Sequence, residues 1–112
     1  MPKTTQADLI DMLCEAARGM GSDVAEGSSC TQTSFKLGKK AFLYVGEQGG
    51  RGKAMFKLDG SLDQAEQMAN DTPDDVQVGK GGWVTARFSD ANPLPARVWK
   101  KWLKESYALA AG

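Results

Sequence analysis

The sequence predicts an α+β fold: a two-layer α/β sandwich in the order α-β(3)-α-β(2)-α, with an antiparallel sheet covered by helices on one face. Three observations predict it. Apolar residues recur at helical spacing near the N-terminus, around residues 62–69 and near the C-terminus, while the intervening segments alternate with the period of a strand. Glycine-rich turns join those segments. Each strand has one apolar face, so a single helical layer suffices to cover the sheet.

The first helix is expected from Thr5, as N-cap, to Gly19 and Gly21, with Asp8 three residues after the cap. Leu9, Ile10, Leu13, Cys14 and Ala17 form its apolar stripe; Asp8, Asp11 and Glu15 fall outside it. Gly27 to Thr33 reads as a polar loop. Phe35 and Leu37 then alternate with Ser34 and Lys36, and the Gly38–Lys40 turn feeds a second strand. Alternation there puts Ala41, Leu43 and Val45 toward the helices and Phe42 and Tyr44 away from them. A long glycine-rich turn is expected from Gly46 to Gly52. The third strand follows, with Ala54, Phe56 and Leu58 inward and Lys53, Met55 and Lys57 outward.

Ser61 is placed as the cap of a second helix carrying Leu62, Ala65, Met68 and Ala69, stopped by Asn70 and Pro73. Val76 to Val78 is a brief strand, joined by a glycine turn to Trp83–Phe88. In this last strand Val84, Ala86 and Phe88 share one face, and Trp83, Thr85 and Arg87 the other. Asn92 is the expected cap of the final helix, with Pro93 and Pro95 in its first turn, where no donated hydrogen bond is lost. Leu94, Val98, Trp99, Trp102, Leu103, Ser106 and Leu109 line its inner side, opposite Arg97, Lys100, Lys101 and Lys104.

A chain of 112 residues has the length of one domain, so residues 1–112 are read as a single unit. No apolar run approaches a membrane span of about 20 residues. Acidic residues interrupt the N-terminal apolar positions, against a signal-peptide core, so a soluble cytoplasmic protein is expected. Cys14 among apolar positions and Cys30 in a polar loop argue for reduced thiols rather than a disulfide framework. The chain contains no histidine, which removes the commonest general base and metal ligand. No cofactor is expected.

Net charge is zero, yet the signs are segregated. Lys36, Lys39, Lys40, Arg51, Lys53 and Lys57 are opposed between residues 36 and 57 only by Glu47, and Asp59, Asp63, Glu66, Asp71, Asp74 and Asp75 follow with no base among them. Such blocks predict a polarised surface.

Two short patterns resemble a known family. Glu26–Ser29 with Phe35–Phe42, and Lys80–Thr85 followed by Ser106 and Tyr107, resemble the early sheet, the K-x-x-W strand and the final S-Y helix of the MmcQ/YjbR family, a bacterial-type group. Gly82 and Gly60 depart from that family's pattern. The resemblance covers the chain from its first helix to about Leu109. It implies a two-layer fold like that of frataxin-like and double-wing DNA-binding proteins, and by that analogy putative DNA binding.

Other motifs weigh less. Gly46–Lys53 lacks the spacing of a phosphate loop, and Ala54 stands where a magnesium-binding hydroxyl is needed. Asp71, Asp74 and Asp75 lack the alternate spacing of a calcium loop and read as a solvated turn. The candidate site is the outer sheet face, with Lys36, Tyr44, Lys53, Lys57, Lys80, Trp83 and Arg87 as binding residues, joined by Phe42, Met55 and Thr85. Rings among cations suit unstacked bases and their phosphates. The same face could instead dock a protein partner or a second copy as a homodimer, or lie covered by the terminal helix. Catalysis is the weakest class, because Ser106, the tyrosines and the thiols have no evident base.

Overall fold

The computed structural model describes residues 6–21, 24–28, 32–48, 50–89, 94 and 96–111. The expected caps Thr5 and Asn92, together with Cys30, Pro93 and Pro95, lie outside the described residues. Three helices and six strands follow in the order α1 (Gln6–Arg18), β1 (Val24–Ser28), β2 (Gln32–Leu37), β3 (Lys40–Gln48), β4 (Arg51–Lys57), α2 (Leu62–Asp71), β5 (Val76–Val78), β6 (Trp83–Phe88) and α3 (Ala96–Ala111). The strands form one antiparallel sheet ordered β1-β2-β3-β4-β6-β5. The α+β class is as expected.

One strand is additional. β1 pairs with β2 along Val24–Ser28, of which Gly27 and Ser28 fall in the expected polar loop. An edge strand buries little, so its sequence carries no apolar alternation. Glu26 turns to the helix side, where Arg18 at the end of α1 donates to it from Nε at 2.6 Å and Nη2 at 3.1 Å. That hydrogen bond holds the Glu26 carboxyl below its ordinary range.

The β3–β4 turn is shorter than expected. The ladder continues through Gly46↔Lys53 and Glu47↔Gly52 to Gln48↔Arg51, leaving a two-residue connection in which Gly50 has φ 79°. Gly52 belongs to the sheet because the Phe88 ring lies across its Cα, where a Cβ would overlap the ring. The glycine and the aromatic together fill one core position.

The core lies between the sheet and the helices. Leu9, Leu13 and Ala17 of α1 and Val98, Trp99, Trp102 and Leu103 of α3 meet Phe35, Leu43, Val45, Ala54, Phe56, Val84, Ala86 and Phe88. Cys14 joins them, and burial pushes its thiol pKa up. Trp102 packs edge-on to Phe56 and donates from Nε1 to Gln64 Oε1 of α2 at 3.4 Å.

α2 begins differently from the expected serine cap. Ser61 makes no side-chain cap bond to its own helix. Its hydroxyl donates to Glu105 Oε1 at 2.9 Å, and Glu105 Oε2 accepts the backbone N–H groups of Asp59 at 2.8 Å and Ser61 at 3.0 Å. A carboxylate from α3 therefore answers donors that a local cap would leave open. Burial alone would raise the Glu105 pKa, but the bonds from Asp59 and Ser61, with Lys101 nearby, outweigh it and hold the carboxyl below its ordinary value.

Candidate functional site

The face opposite the helices is built by alternation, and one irregularity changes its membership. β2 pairs Phe35 with Leu43 but Lys36 with Ala41, so β3 carries a bulge at Phe42. The extra residue lets Phe42 and Leu43 both turn to the helices, and both are fully buried. Phe42 contacts Tyr107 edge-on at 5.4 Å and Phe35 at 6.5 Å between ring centroids. The expectation that Phe42 belongs to the open face is corrected accordingly. Ala41, expected in the core, pairs with the open-face Lys36 instead.

The bulge is held by the end of α3. Ser106 is completely buried; its hydroxyl donates to the Phe42 carbonyl and accepts from the Lys57 backbone N–H at 2.9 Å. Phe42 and Lys57 stand one step beyond the last β3–β4 pair, Leu43↔Phe56, so a side chain replaces the missing ladder bond. Tyr107 supplies the ring against which Phe42 packs. The Ser106–Tyr107 pair thus fixes the parity of the site from the opposite side of the sheet.

The remaining candidates converge. Register places Ser34, Tyr44, Met55, Thr85 and Gln77 in one row across the sheet, with Lys57↔Trp83 beside it and Gln32, Lys53 and Arg87 on the other side. Tyr44 and Trp83 are both half-buried, with ring centroids 5.5 Å apart at 55°. Lys36 and Lys57 are exposed, and Arg87 donates from Nη1 to Gln77 Oε1 at 3.0 Å. Lys80 lies in a single 3₁₀ turn, Lys80–Gly82, just before β6. Gly82 there has φ 84°, donates no side chain, and packs its Cα so closely on the Leu58 carbonyl that a Cβ would overlap it. Its own carbonyl accepts from Leu58 N–H at 2.8 Å. Gly82 is therefore a position where this backbone requires glycine.

The indole separates two depressions. The wider, about 520 Å³, is lined by Gln32, Tyr44, Met55, Gly79, Lys80 and Trp83. The narrower, about 200 Å³, is lined by Lys40, Ala41, Lys57, Trp83, Leu109 and Ala110. Among the described strand residues, none on this face is acidic; Glu26 and Glu47 pair with Phe35 and Gly52, which face the helices. At the β5 edge Asp75 is engaged by Arg51 Nη2, whose Nη1 also reaches the Asp74 carbonyl at 3.5 Å. Arg51 is thereby withdrawn from the basic set that composition suggests.

Gln32, Lys40 and Leu109 escape the sequence reading. Extending the Ser34, Lys36 alternation back two residues finds Gln32. Lys40 reads as part of a turn, and Leu109 at helical spacing belongs to the inner stripe; in the structure Leu109 is 36% exposed, past the end of the core. On the helical side, α1 and α2 expose Asp8, Asp11, Glu15, Asp63, Glu66 and Asp71, so the two faces of the molecule differ in charge, although α3 exposes Arg97, Lys100, Lys101 and Lys104.

No helix of the described residues is long and apolar enough to cross a membrane. No family model matches the chain, and no curated protein or solved structure matches it significantly.

Proposed function

We propose that this chain is a non-catalytic, MmcQ/YjbR-like domain that binds nucleic acid, DNA in the first instance, by laying unstacked bases on the open sheet face. The observation that carries the reading is the half-buried Tyr44–Trp83 pair set in a face whose charged members are cationic. Aromatic faces stack bases without regard to sequence, and flanking cations follow the phosphates. Met55 and the wider depression beside the indole give a base an apolar floor.

The polar side chains that could act as nucleophiles support a binding role over catalysis. Ser106 has its hydroxyl occupied on both sides by backbone groups, and the Cys14 thiol is buried with its pKa raised. An activated nucleophile needs a neighbouring base and access to substrate.

The test is fluorescence anisotropy of a labelled single-stranded 12-mer, titrated between 50 and 200 mM salt. With Lys36, Lys53, Lys57, Lys80 and Arg87 near the phosphates, log K should fall against log salt with a slope of about −3.5, and Lys57→Ala or Arg87→Ala should each flatten it by roughly 0.7. Absence of binding at the lowest salt overturns the reading. Salt-insensitive self-association abolished by Trp83→Ala would replace it with a homodimer or protein-docking face.

A further inference from the structure

The narrower depression has features that base stacking does not use. It sits where β3 begins, β4 ends and β6 begins, with Lys40, Lys57 and Trp83 contributed by the three strands. The last turns of α3 close it with Leu109 and Ala110. Its shape depends on the bulge, because Ala41 rather than the Phe42 ring is directed to this side. At about 200 Å³ it is smaller than the usual small-molecule site of roughly 300–1,000 Å³. It is sized for one substituent rather than a whole ligand.

Two lysines line that space, Lys57 from the open face and Lys40 from the start of β3, where the register pairs it with Leu37. Neither Lys40 nor Lys57 is in an ion pair among the described residues, and none of the lining residues is acidic. Lysine binds phosphate as a compact point charge, and the apolar Leu109–Ala110 wall suits the C–H side of a sugar. The indole is common to both depressions, so an anion in the narrow one lies beside a base in the wide one.

Resting on the reading of the sheet as a base-stacking surface, the geometry points to recognition of a strand end: the Lys40–Lys57 recess takes a terminal phosphomonoester, whose adjoining base stacks on Trp83 and Tyr44. Two features favour an end over an internal phosphate. A phosphomonoester carries about −1.5 to −2 charge at neutral pH, matching two ammoniums, whereas a diester carries one. α3 also walls the recess at the end of the sheet, where a continuing strand would have to pass it. The shared ligand chemistry is a nucleotide bearing a terminal phosphate, which a 5′-phosphorylated strand, a 3′-phosphorylated strand or a free nucleoside monophosphate can each present.

The experiment compares one single-stranded 12-mer with a 5′-phosphate, a 3′-phosphate or only hydroxyl ends, alongside a nucleoside monophosphate as competitor, on the intact chain and on K40Q/K57Q. Both lysines are exposed, and the double variant keeps the Lys57 backbone N–H that Ser106 accepts, so the fold is retained. One phosphorylated form should bind about tenfold tighter than the hydroxyl form, and the double variant should lose that preference, binding all three strands equally but more weakly than the intact chain does, because Lys57 also serves the backbone phosphates. Competition by the monophosphate at matched affinity identifies the free nucleotide as the ligand; a preference for one phosphorylated strand alone identifies the end. Trp83-dependent binding with equal affinity for all three strands overturns the recess and leaves the stacking surface standing. Failure of every strand to bind overturns the surface itself.

Discussion

Replacing Ser106 with alanine tests how the sheet acquires its two faces. The hydroxyl of the completely buried Ser106 satisfies the Phe42 carbonyl and the Lys57 N–H. Alanine removes both bonds, leaves two backbone groups without a partner, and barely changes volume. A buried polar group left unsatisfied costs about 1–3 kcal/mol, so the pair gives about 2–4 kcal/mol after relaxation. That is a large part of the roughly 5–15 kcal/mol by which a domain of this kind is stable. With a urea m-value of about 1.5 kcal/mol/M, the midpoint should fall by about 1–3 M. The matched control is Lys104→Ala, on the exposed side of the same helix, where a surface change should stay within about 0.5 kcal/mol. Amide exchange adds a local readout, since the Lys57 N–H should lose protection before its ladder neighbours. If Ser106→Ala moves the midpoint no further than Lys104→Ala, the serine does not hold the bulge and the parity argument fails.

Three further outcomes follow from single contacts. Glu105 has its pKa lowered in the folded chain, so the stability it contributes is present above the unfolded value of about 4.3 and is lost as pH falls through the folded value; the stability difference between the wild type and Glu105→Gln, followed by urea unfolding, should shrink from pH 6 to pH 3. Gly52→Ala drives a methyl into the Phe88 ring and should cost about 1–3 kcal/mol, read as a lower thermal midpoint, with Gly52→Ala/Phe88→Leu recovering part of the loss. Gly82→Ala places a Cβ on a residue with φ 84° against the Leu58 carbonyl; it should destabilise by at least about 1 kcal/mol and shift the fluorescence of the adjoining Trp83.

The sequence made the sheet's chemistry legible and left its irregularities hidden. Alternation in Trp83–Phe88 and Lys53–Lys57 gives the correct parity, because fully buried Val84, Ala86, Phe88, Ala54 and Phe56 leave no second register. It fails across Ala41–Tyr44, where apolar residues occupy every position and a bulge leaves the pattern unchanged. Gly46 and Gly52 read as loop because glycine has no strand preference of its own; the Phe88 ring that makes Gly52 necessary lies 36 residues away. Ser61 looks like a helix cap, yet the group that answers the donors there comes from Glu105 on another helix. Each miss is a long-range partner replacing a local rule.

Tryptophan fluorescence tests the central claim directly. Trp99 is 2% exposed and Trp102 is fully buried, so Trp83 is the indole that a ligand on the open face can reach. Titration with an oligothymidylate at low salt should quench a saturable fraction of the emission, and Trp83→Phe should remove that quenching. Since stacking contributes about 1–3 kcal/mol per base, Trp83→Ala should weaken binding by roughly 5- to 150-fold in the anisotropy assay. Quenching that persists unchanged in Trp83→Phe, or affinity untouched by Trp83→Ala, would contradict the account.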